Sequence, residues 1–404
     1  MKNKKFDFVV FGASSFVGKI LTAYLVRQYG QSNDFKWAIA GRSLDKLEAL
    51  KSELNAADLP ALKIDASSEA DLKLLCEQTR AVASTVGPYA LYGNGLVKAC
   101  AQNGVDYCDL TGEVQWIARM IEAHEDEAKR SGAKIVHCCG FDSIPSDLGV
   151  QYLQEQAVSQ FDTPCQQIRM RVRRLKGEFS GGTLASLINV AHELSKDRNL
   201  AKKMSNPYYI CPEKLPTRQP NVKFAEYDDT AQSWLAPFVM AGINTRVVHR
   251  SNALLNYAYG KEFKYDEAMM TGNGTKGRLM ATTMALGMGA FLAGVVIPPT
   301  RWVLERFVIP KPGEGPSPKA QERGHYDLRF YGQTASGKQI QAKVTGDRDP
   351  GYGSTGKMLG EAVVCLAMDM RDKPGGFWTP ASLMGSNLRT RLEKHAGLSF
   401  EIVN

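Results

Sequence analysis

The sequence predicts a two-part α/β protein: a doubly wound parallel sheet over residues 1–148, then an α+β domain with a mixed or antiparallel sheet over 149–404. Three observations predict it. Between Phe6 and Cys139, short apolar runs rich in β-branched residues alternate with stretches of helical period, the pattern of parallel strands joined by crossover helices. A turn punctuated by Gly12 and Gly18 follows the first run and opens the first helix. After Ser146 the regular alternation gives way to a mixture of strand-period and helix-period segments.

Taken in order, the expected parallel strands are Phe6–Phe11, Lys36–Ala40, Ala61–Ile64, Ala81–Val86 and Lys134–Cys139, with a shorter strand at Tyr107–Leu110 after a helix at Gly95–Asn103. Ser43 suits the N-cap of a helix at Leu44–Leu54, and Ser146 suits the N-cap of the helix that opens the second domain. Ile168, Met170 and Val172 alternate with Arg169, Arg171 and Arg173, which predicts a half-buried strand with a solvated basic face. Tyr326, Leu328 and Phe330, then Ser336-Gly-Lys338, then Ile340, Ala342 and Val344 predict a β-hairpin. Leu279–Thr300 carries no charge between Arg278 and Arg301 and reaches the length of a membrane span. Its three glycines and its terminal Pro298-Pro299 fit a buried or interfacial helix better. Lys311–Pro318 is expected as a surface loop, and a helical part near 354–395 is expected to pack back on the first domain.

Composition narrows the function classes. With 404 residues and 44% of them hydrophobic, the chain can bury a sizeable core without staples. A net charge of +8 is a modest bias toward anionic ligands. Basic and acidic residues are interspersed and carry no aromatic-bearing basic motif, so nucleic-acid binding is not expected. Eight cysteines without a CxxC pair point to reduced thiols rather than disulfides or zinc, and His192-Glu193 lacks the second histidine of a metalloprotease, position 196 being Lys. No metal is expected. Met1-Lys-Asn-Lys-Lys runs directly into an apolar strand rather than into a secretory leader, so a cytoplasmic protein is expected, peripheral to the membrane if 279–300 touches lipid.

The chemistry is concentrated at the first domain's strand ends. Gly12-Ala13-Ser14-Ser15-Phe16-Val17-Gly18 joins a strand to a helix in the order a pyrophosphate site requires, with amides of the first helical turn and the helix dipole facing the anion. Ser15 stands where a middle glycine is usual. The second strand ends in Ala40-Gly41-Arg42-Ser43, and an arginine where an acid would hold a ribose 2′-hydroxyl suits a 2′-phosphate, with Ser43 and Lys46 beside it. The expected dinucleotide is therefore NADP(H). Asp65 at the end of the third strand either meets adenine or caps the next helix, and Val86-Gly87-Pro88-Tyr89 forms a turn near the nicotinamide position. Tyr89, as a hydrogen-bond donor, and Asp142, as an acid, are the candidate catalytic groups, while Ser143, Thr111, Gly112 and Glu113 are further polar turn positions. Glu113 also suits the amino end of a helix at Val114–Ala128.

These motifs, together with Tyr107-Cys-Asp-Leu-Thr-Gly-Glu113, Gly140-Phe-Asp-Ser-Ile-Pro-Ser-Asp147, Ser180-Gly-Gly-Thr183 and Gly375-Gly-Phe-Trp-Thr-Pro-Ala-Ser382, resemble the saccharopine dehydrogenase-like oxidoreductases, and within them the trans-acting enoyl reductase branch. The resemblance implies a Rossmann domain and NADP(H)-dependent reduction of a carbon–carbon double bond in a lipid or polyketide-type acyl intermediate, presented by another enzyme. A small-molecule or carrier-bound acyl substrate, a cleft between the domains and a homo-oligomer are the corresponding expectations. Two alternatives stand beside it: a saccharopine-type dehydrogenase of amino acids, for which Arg169, Arg171 and Arg173 would serve the carboxylates, and a nucleotide-binding lipid-surface protein without turnover. Replacing Arg42 by Ala should weaken NADPH by about 1.5 to 3 kcal/mol and leave NADH nearly unchanged, as one lost charged hydrogen bond would. Calorimetric titration with both nucleotides checks this, and equal losses would contradict the assignment.

Overall fold

The computed structural model describes residues 4–30, 34–177, 181–303 and 315–403. The chain divides into two compact units, one reaching to Asp142 and including Gly351–Gly397, the other holding Ser143–Pro312, Pro316–Pro350 and Leu398–Asn404. The division falls after Asp142 rather than Leu148, and residues 351–397, which include the part near 354–395 expected to pack back on the first domain, group with the first unit.

The first unit begins β1 (Phe6–Phe11), α1 (Phe16–Tyr29), β2 (Trp37–Gly41), α2 (Leu44–Glu53), β3 (Ala61–Lys63), α3 (Glu69–Gln78), β4 (Thr79–Ser84), α4 (Tyr89–Tyr92), α5 (Asn94–Asn103), β5 (Asp106–Asp109), α6 (Val114–Ser131) and β6 (Lys134–Val136). The second unit follows with α7 (Ile144–Phe161), β7 (Cys165–Lys176), α8 (Gly181–Lys196), α9 (Arg198–Met204), β8 (Glu226–Asp228), β9 (Ser233–Pro237), α10 (Ala241–Leu254), β10 (Lys264–Gly272), α11 (Gly274–Val296), α12 (Pro298–Val303), α13 (Pro318–Arg323), β11 (His325–Thr334) and β12 (Gln339–Gly346). The chain then gives α14 (Thr355–Met368), β13 (Gly376–Trp378), α15 (Pro380–Leu383) and α16 (Gly385–Arg391) to the first unit, and β14 (Leu398–Val403) to the second.

In the first unit the sheet order is β13-β6-β5-β4-β1-β2-β3, and its strand pairings are parallel. The chain winds outward from β1 through β2 to β3, then returns to pair β4 with β1, which leaves a crevice at the carboxyl ends of β1 and β4 where such sheets bind ligands. The expected strands are present with shifted ends. β4 ends at Ser84 because the chain turns away at Thr85, whose amide still donates to Phe11 O. The part expected to be helical near 354–395 also contains a strand, β13, which lengthens the sheet beside β6. Buried α14 packs on β1, β4, β5 and α1. Its Gly360 lies so close to α1 that a Cβ would sit 2.8 Å from the Tyr24 ring. Glu361, fully buried, accepts the hydroxyls of Tyr24 (2.6 Å) and Tyr29 (2.7 Å), so a carboxylate inside the core has partners of the kind its charge demands.

The second unit is built on a mixed sheet ordered β14-β12-β11-β7-β10-β9-β8, in which β7 and β10 are parallel and the other pairs antiparallel. The hairpin forms with Phe330 opposite Ala342 and Gly337 in the left-handed region of its turn. Ile168, Met170 and Val172 of β7 and Tyr326, Leu328 and Phe330 of β11 are buried, as their alternation predicts. α7 lies against this layer so closely that a Cβ on Gly149 would meet the Phe330 ring at 2.4 Å. α7 begins two residues before the expected N-cap, at Ile144, so Ser146 sits inside its first turn.

One expectation for the basic strand face fails. Arg169 and Arg173 are partly open to solvent, but Arg171 is only 3% exposed, its guanidinium held between Asp228 and Asp266 at 2.7 Å each. Sequence alternation reports the side of a strand and cannot report that β8 supplies an acid to cover that side. All eight cysteines are free thiols. Residues 311–314 of the expected surface loop and Ser180 of the Ser180–Thr183 motif lie outside the described residues.

Arg171→Ala should destabilise the protein by about 3 to 5 kcal/mol, since it strands two carboxylates in a buried site. Arg173→Ala, which removes a half-exposed cation, should cost less than about 1 kcal/mol. Urea unfolding midpoints compare the two, and similar midpoints would contradict the buried triad.

Candidate functional site

The carboxyl edge of the parallel sheet collects the groups that carry chemistry. At its centre the Gly12–Gly18 turn brings backbone against backbone. A Cβ on Gly18 would fall 2.1 Å from Gly12 O and 2.8 Å from Ala13 Cα, and Gly12 itself, at φ +85°, has Val86 Cγ2 only 2.6 Å from where a Cβ would stand. Both positions are closed to any other residue, so the amino end of α1 is drawn up to the end of β1.

Ser15, in the place of the usual middle glycine, is the N-cap of α1. Its Oγ accepts from Gly18 N at 2.9 Å and lies 3.0 Å from Thr85 Oγ1, which in turn donates to Gly12 O at 2.9 Å. The substitution thus trades close backbone approach for a cap tied across to the end of β4. Ser14, Ser15, Phe16 and Val17 are half-buried, and the amides of the first turn have no carbonyl one turn back within the helix, so they face outward as anion donors. This cradle fits a dinucleotide diphosphate.

Arg42, at the end of β2, is exposed, and among the described residues makes no hydrogen bond or ion pair. Ser43 caps α2 by accepting from Lys46 N at 3.4 Å, which places Lys46 in the first turn beside it. Asp65 is turned to local work: its Oδ1 accepts the amide (2.9 Å) and hydroxyl (2.8 Å) of Ser67, and these bonds, with a further contribution from Arg42, hold its carboxyl below the usual range. The cap of α3 is Ser68. The segment 42–46 thus sets an exposed guanidinium near Asp65 at the end of β2.

The Val86–Tyr89 turn, with a cis Gly87–Pro88 bond, leads into α4. Tyr89 points inward. It is 4% exposed, its hydroxyl donates to Ser84 O at 3.0 Å, and burial above all, then the charge of Asp109, pushes its pKa well up. Its ring packs 5.4 Å from that of Trp116. Such a hydroxyl braces the ends of β4 and β5 and has its proton committed to the backbone. Glu113 stands at the amino end of α6 as expected, being its N-cap residue, and its buried carboxylate also takes the amides of Tyr89 (2.8 Å) and Ala90 (3.0 Å) and so caps α4.

Asp109, at the end of β5, is the centre of a buried network that sequence reading did not single out. Its Oδ2 lies 2.7 Å from His137 Nδ1 and accepts the Tyr107 hydroxyl at 3.0 Å, while Oδ1 accepts from Thr111 N (3.1 Å) and Cys138 N (3.2 Å). The signals available were its place in the Tyr107–Glu113 motif and an acid closing an otherwise buried strand, where a carboxylate persists only with partners. Asp142 follows in the loop after β6. Burial, then repulsion from Asp109, raises its carboxyl to about 7, so near neutral pH it is poised between donor and acceptor.

In the second unit, Ser143 is turned into protein, its Oγ 3.1 Å from Asn244 Oδ1. Asn244 Nδ2 donates to Glu267 Oε2 at 2.9 Å and to Ser146 Oγ at 3.1 Å, and Tyr265 donates to Glu267 Oε1 at 2.7 Å. Burial lifts Glu267 to about 7. This network fixes the first turn of α7 to α10 and β10; no sequence motif announced it.

Comparison with known proteins places this geometry. Residues 8–136 match the family described as the saccharopine dehydrogenase NADP binding domain. A Mycobacterium tuberculosis protein named as a candidate trans-acting enoyl reductase is 40% identical, covering 98% of this chain and 97% of that one. A trans-acting enoyl reductase of Mycobacterium ulcerans is 36% identical over 96% of each chain. Among solved structures, apo saccharopine dehydrogenase (L-Glu forming) from Saccharomyces cerevisiae superposes with a TM-score of 0.53 at 12% identity, covering 98% of this chain and 99% of that one, which shows a shared fold.

Gly18→Ala should lower stability by about 1 to 3 kcal/mol by overpacking the turn and should also abolish measurable dinucleotide binding. Ser15→Ala should cost about 1 kcal/mol, the loss of a cap. Thermal unfolding with and without NADPH separates the two: the nucleotide should raise the midpoint of Ser15→Ala and not that of Gly18→Ala.

Proposed function

The chain belongs to the trans-acting enoyl reductase family, with its saccharopine dehydrogenase-type NADP-binding domain, and we propose that it reduces the α,β double bond of an acyl thioester carried by a partner enzyme. It is an NADP(H)-dependent oxidoreductase. The observation that carries the reading is the pairing of a bare helix start at Phe16 and Val17 with an exposed Arg42 at the neighbouring strand end. The helix start takes the diphosphate and the guanidinium takes the 2′-phosphate.

NADPH, when bound, supplies the hydride for the β-carbon. The chain supplies position and the proton. Asp142, protonated below about 7, gives its proton to the α-carbon and recovers it from solvent, so that one hydride and one proton saturate the bond. Tyr89, Glu113 and Asp109 hold the strand-end backbone in place around it. A substrate chain that is lipid-like, a cytoplasmic position peripheral to the membrane through α11, and a homo-oligomer complete the reading. An amino-acid substrate fits less well, because Arg171 is committed to Asp228 and Asp266, and Arg169 donates to Thr230 at 2.8 Å.

Incubating the protein with NADPH deuterated at the transferable position and an unsaturated acyl-pantetheine thioester should give a saturated product heavier by one deuterium. Turnover of saccharopine-type amino acids with no acyl product would overturn the proposal. With Asp142 as the acid, kcat should fall about tenfold per pH unit above about 7, because the raised carboxyl is loaded only below that value. Asp142→Asn should lose about 100-fold or more in kcat at pH 6 and flatten that limb, with Kd for NADPH unchanged. A profile unaltered by the substitution would assign the proton elsewhere.

A further inference from the structure

Helix α11 inverts the usual arrangement of a surface helix. A helix packed on a protein buries an apolar stripe and shows charge to water. Here the packed stripe is mostly small: Gly277, Ala281 and Ala285, with Val295 near the far end, are buried, and α11 contacts β9, β10 and α8. The outward side is the apolar one, with Leu279 69% exposed, Leu286 59% exposed, and Met280, Leu292 and Ile297 also open. Because one side is packed on protein, the helix lies on a surface and is not surrounded by lipid. Little of the helix is buried, which sets it apart from a core helix of similar composition.

The charges that the helix and its flanks themselves carry have one sign. Lys276 and Arg278 stand exposed at its beginning, Arg301 follows its end in sequence, and Gly274–Val303 contains no acidic residue. Trp302, 62% exposed, adds a large amphipathic ring at the far end. Aromatic rings and cations flanking an apolar helix match the headgroup level of a bilayer, where the rings straddle the boundary and the cations meet lipid phosphates. A two-fold contact with a second copy of the chain would instead set cations at both ends of the seam against one another.

We propose that α11 with Trp302 docks the protein on an anionic lipid leaflet, the helix lying in the interface plane with Leu279, Met280, Leu286 and Ile297 in the acyl boundary and Lys276 at the phosphates, while Arg278, its guanidinium 5.3 Å over the Trp234 ring, adds positive charge beside it. The purpose of such docking rests on the acyl-substrate reading, because a lipid-like chain partitions into that leaflet. The docking itself is read without turnover.

The full chain is mixed with vesicles of phosphatidylcholine, with or without about one-third phosphatidylglycerol, and floated through a density gradient at about 0.1 M salt. The protein should float with the anionic vesicles and stay behind with the neutral ones. Leu279→Glu with Leu286→Glu should cut the floated fraction at least tenfold, and Lys276→Glu severalfold, with NADPH affinity and particle mass as in the parent chain. No flotation of the parent chain, flotation of the double variant at the parent level, or a halved particle mass in the double variant, which would mark the face as a contact between copies, overturns the docking. Loss of flotation beside intact thioester turnover leaves the reductase reading standing, whereas flotation without turnover removes that reading alone.

Discussion

The carboxyl edge of the parallel sheet depends on one contact, backbone on backbone, between Gly18 and Gly12. With no Cβ between them, the first turn of α1 reaches the end of β1, and Ser15 comes within reach of Thr85 at the end of β4. Thr85 then donates to Gly12 O, so the two central strands and the helix start are locked by three short links. Separate these elements by the width of a methyl group and the outward amides no longer converge, and Arg42 loses the common frame that sets its distance from them. The approach of two main chains is therefore the condition for binding an anion at this place.

Around that frame the protein distributes acids according to the partners it can give them. Glu361, Glu113 and Asp109 are buried and each receives two or more donors, so they act as structural anchors for α1, α4 and the β5–β6 ends. Asp228 and Asp266 share one guanidinium. Asp142 has burial and a neighbouring carboxylate against it, and the same two influences that make its charge unfavourable make its proton available at neutral pH. On the proposed reading, environment more than residue type separates scaffold from chemistry here.

Much of this was legible in the chain itself, and the rest was not for physical reasons. Periodicity exposed the six parallel strands, the hairpin and the buried side of β7, because each is a local consequence of which side faces a core. Gly12 and Gly18 were readable from position, since a turn between a strand and a helix start leaves few roles for those residues. β13 was not readable, being three residues whose only reason to be a strand is the edge of β6 a long way back in sequence. The fates of Arg171, Tyr89 and Glu113 were hidden for the same cause: their partners Asp228, Ser84 O and the α4 amides are set by tertiary packing. The uncharged run at 279–300 was visible, but only the structure distinguishes its packed alanines from its open leucines.

The most direct measurement of the central claim is amide hydrogen exchange of the intact protein with NADPH, with NADH and with neither. The account predicts that both nucleotides slow exchange in the Phe16–Lys19 turn, where the diphosphate is held, and that only NADPH also slows it in the Arg42–Lys46 segment. Unchanged exchange in the first segment with either nucleotide, or equal protection of the second by both, would contradict it.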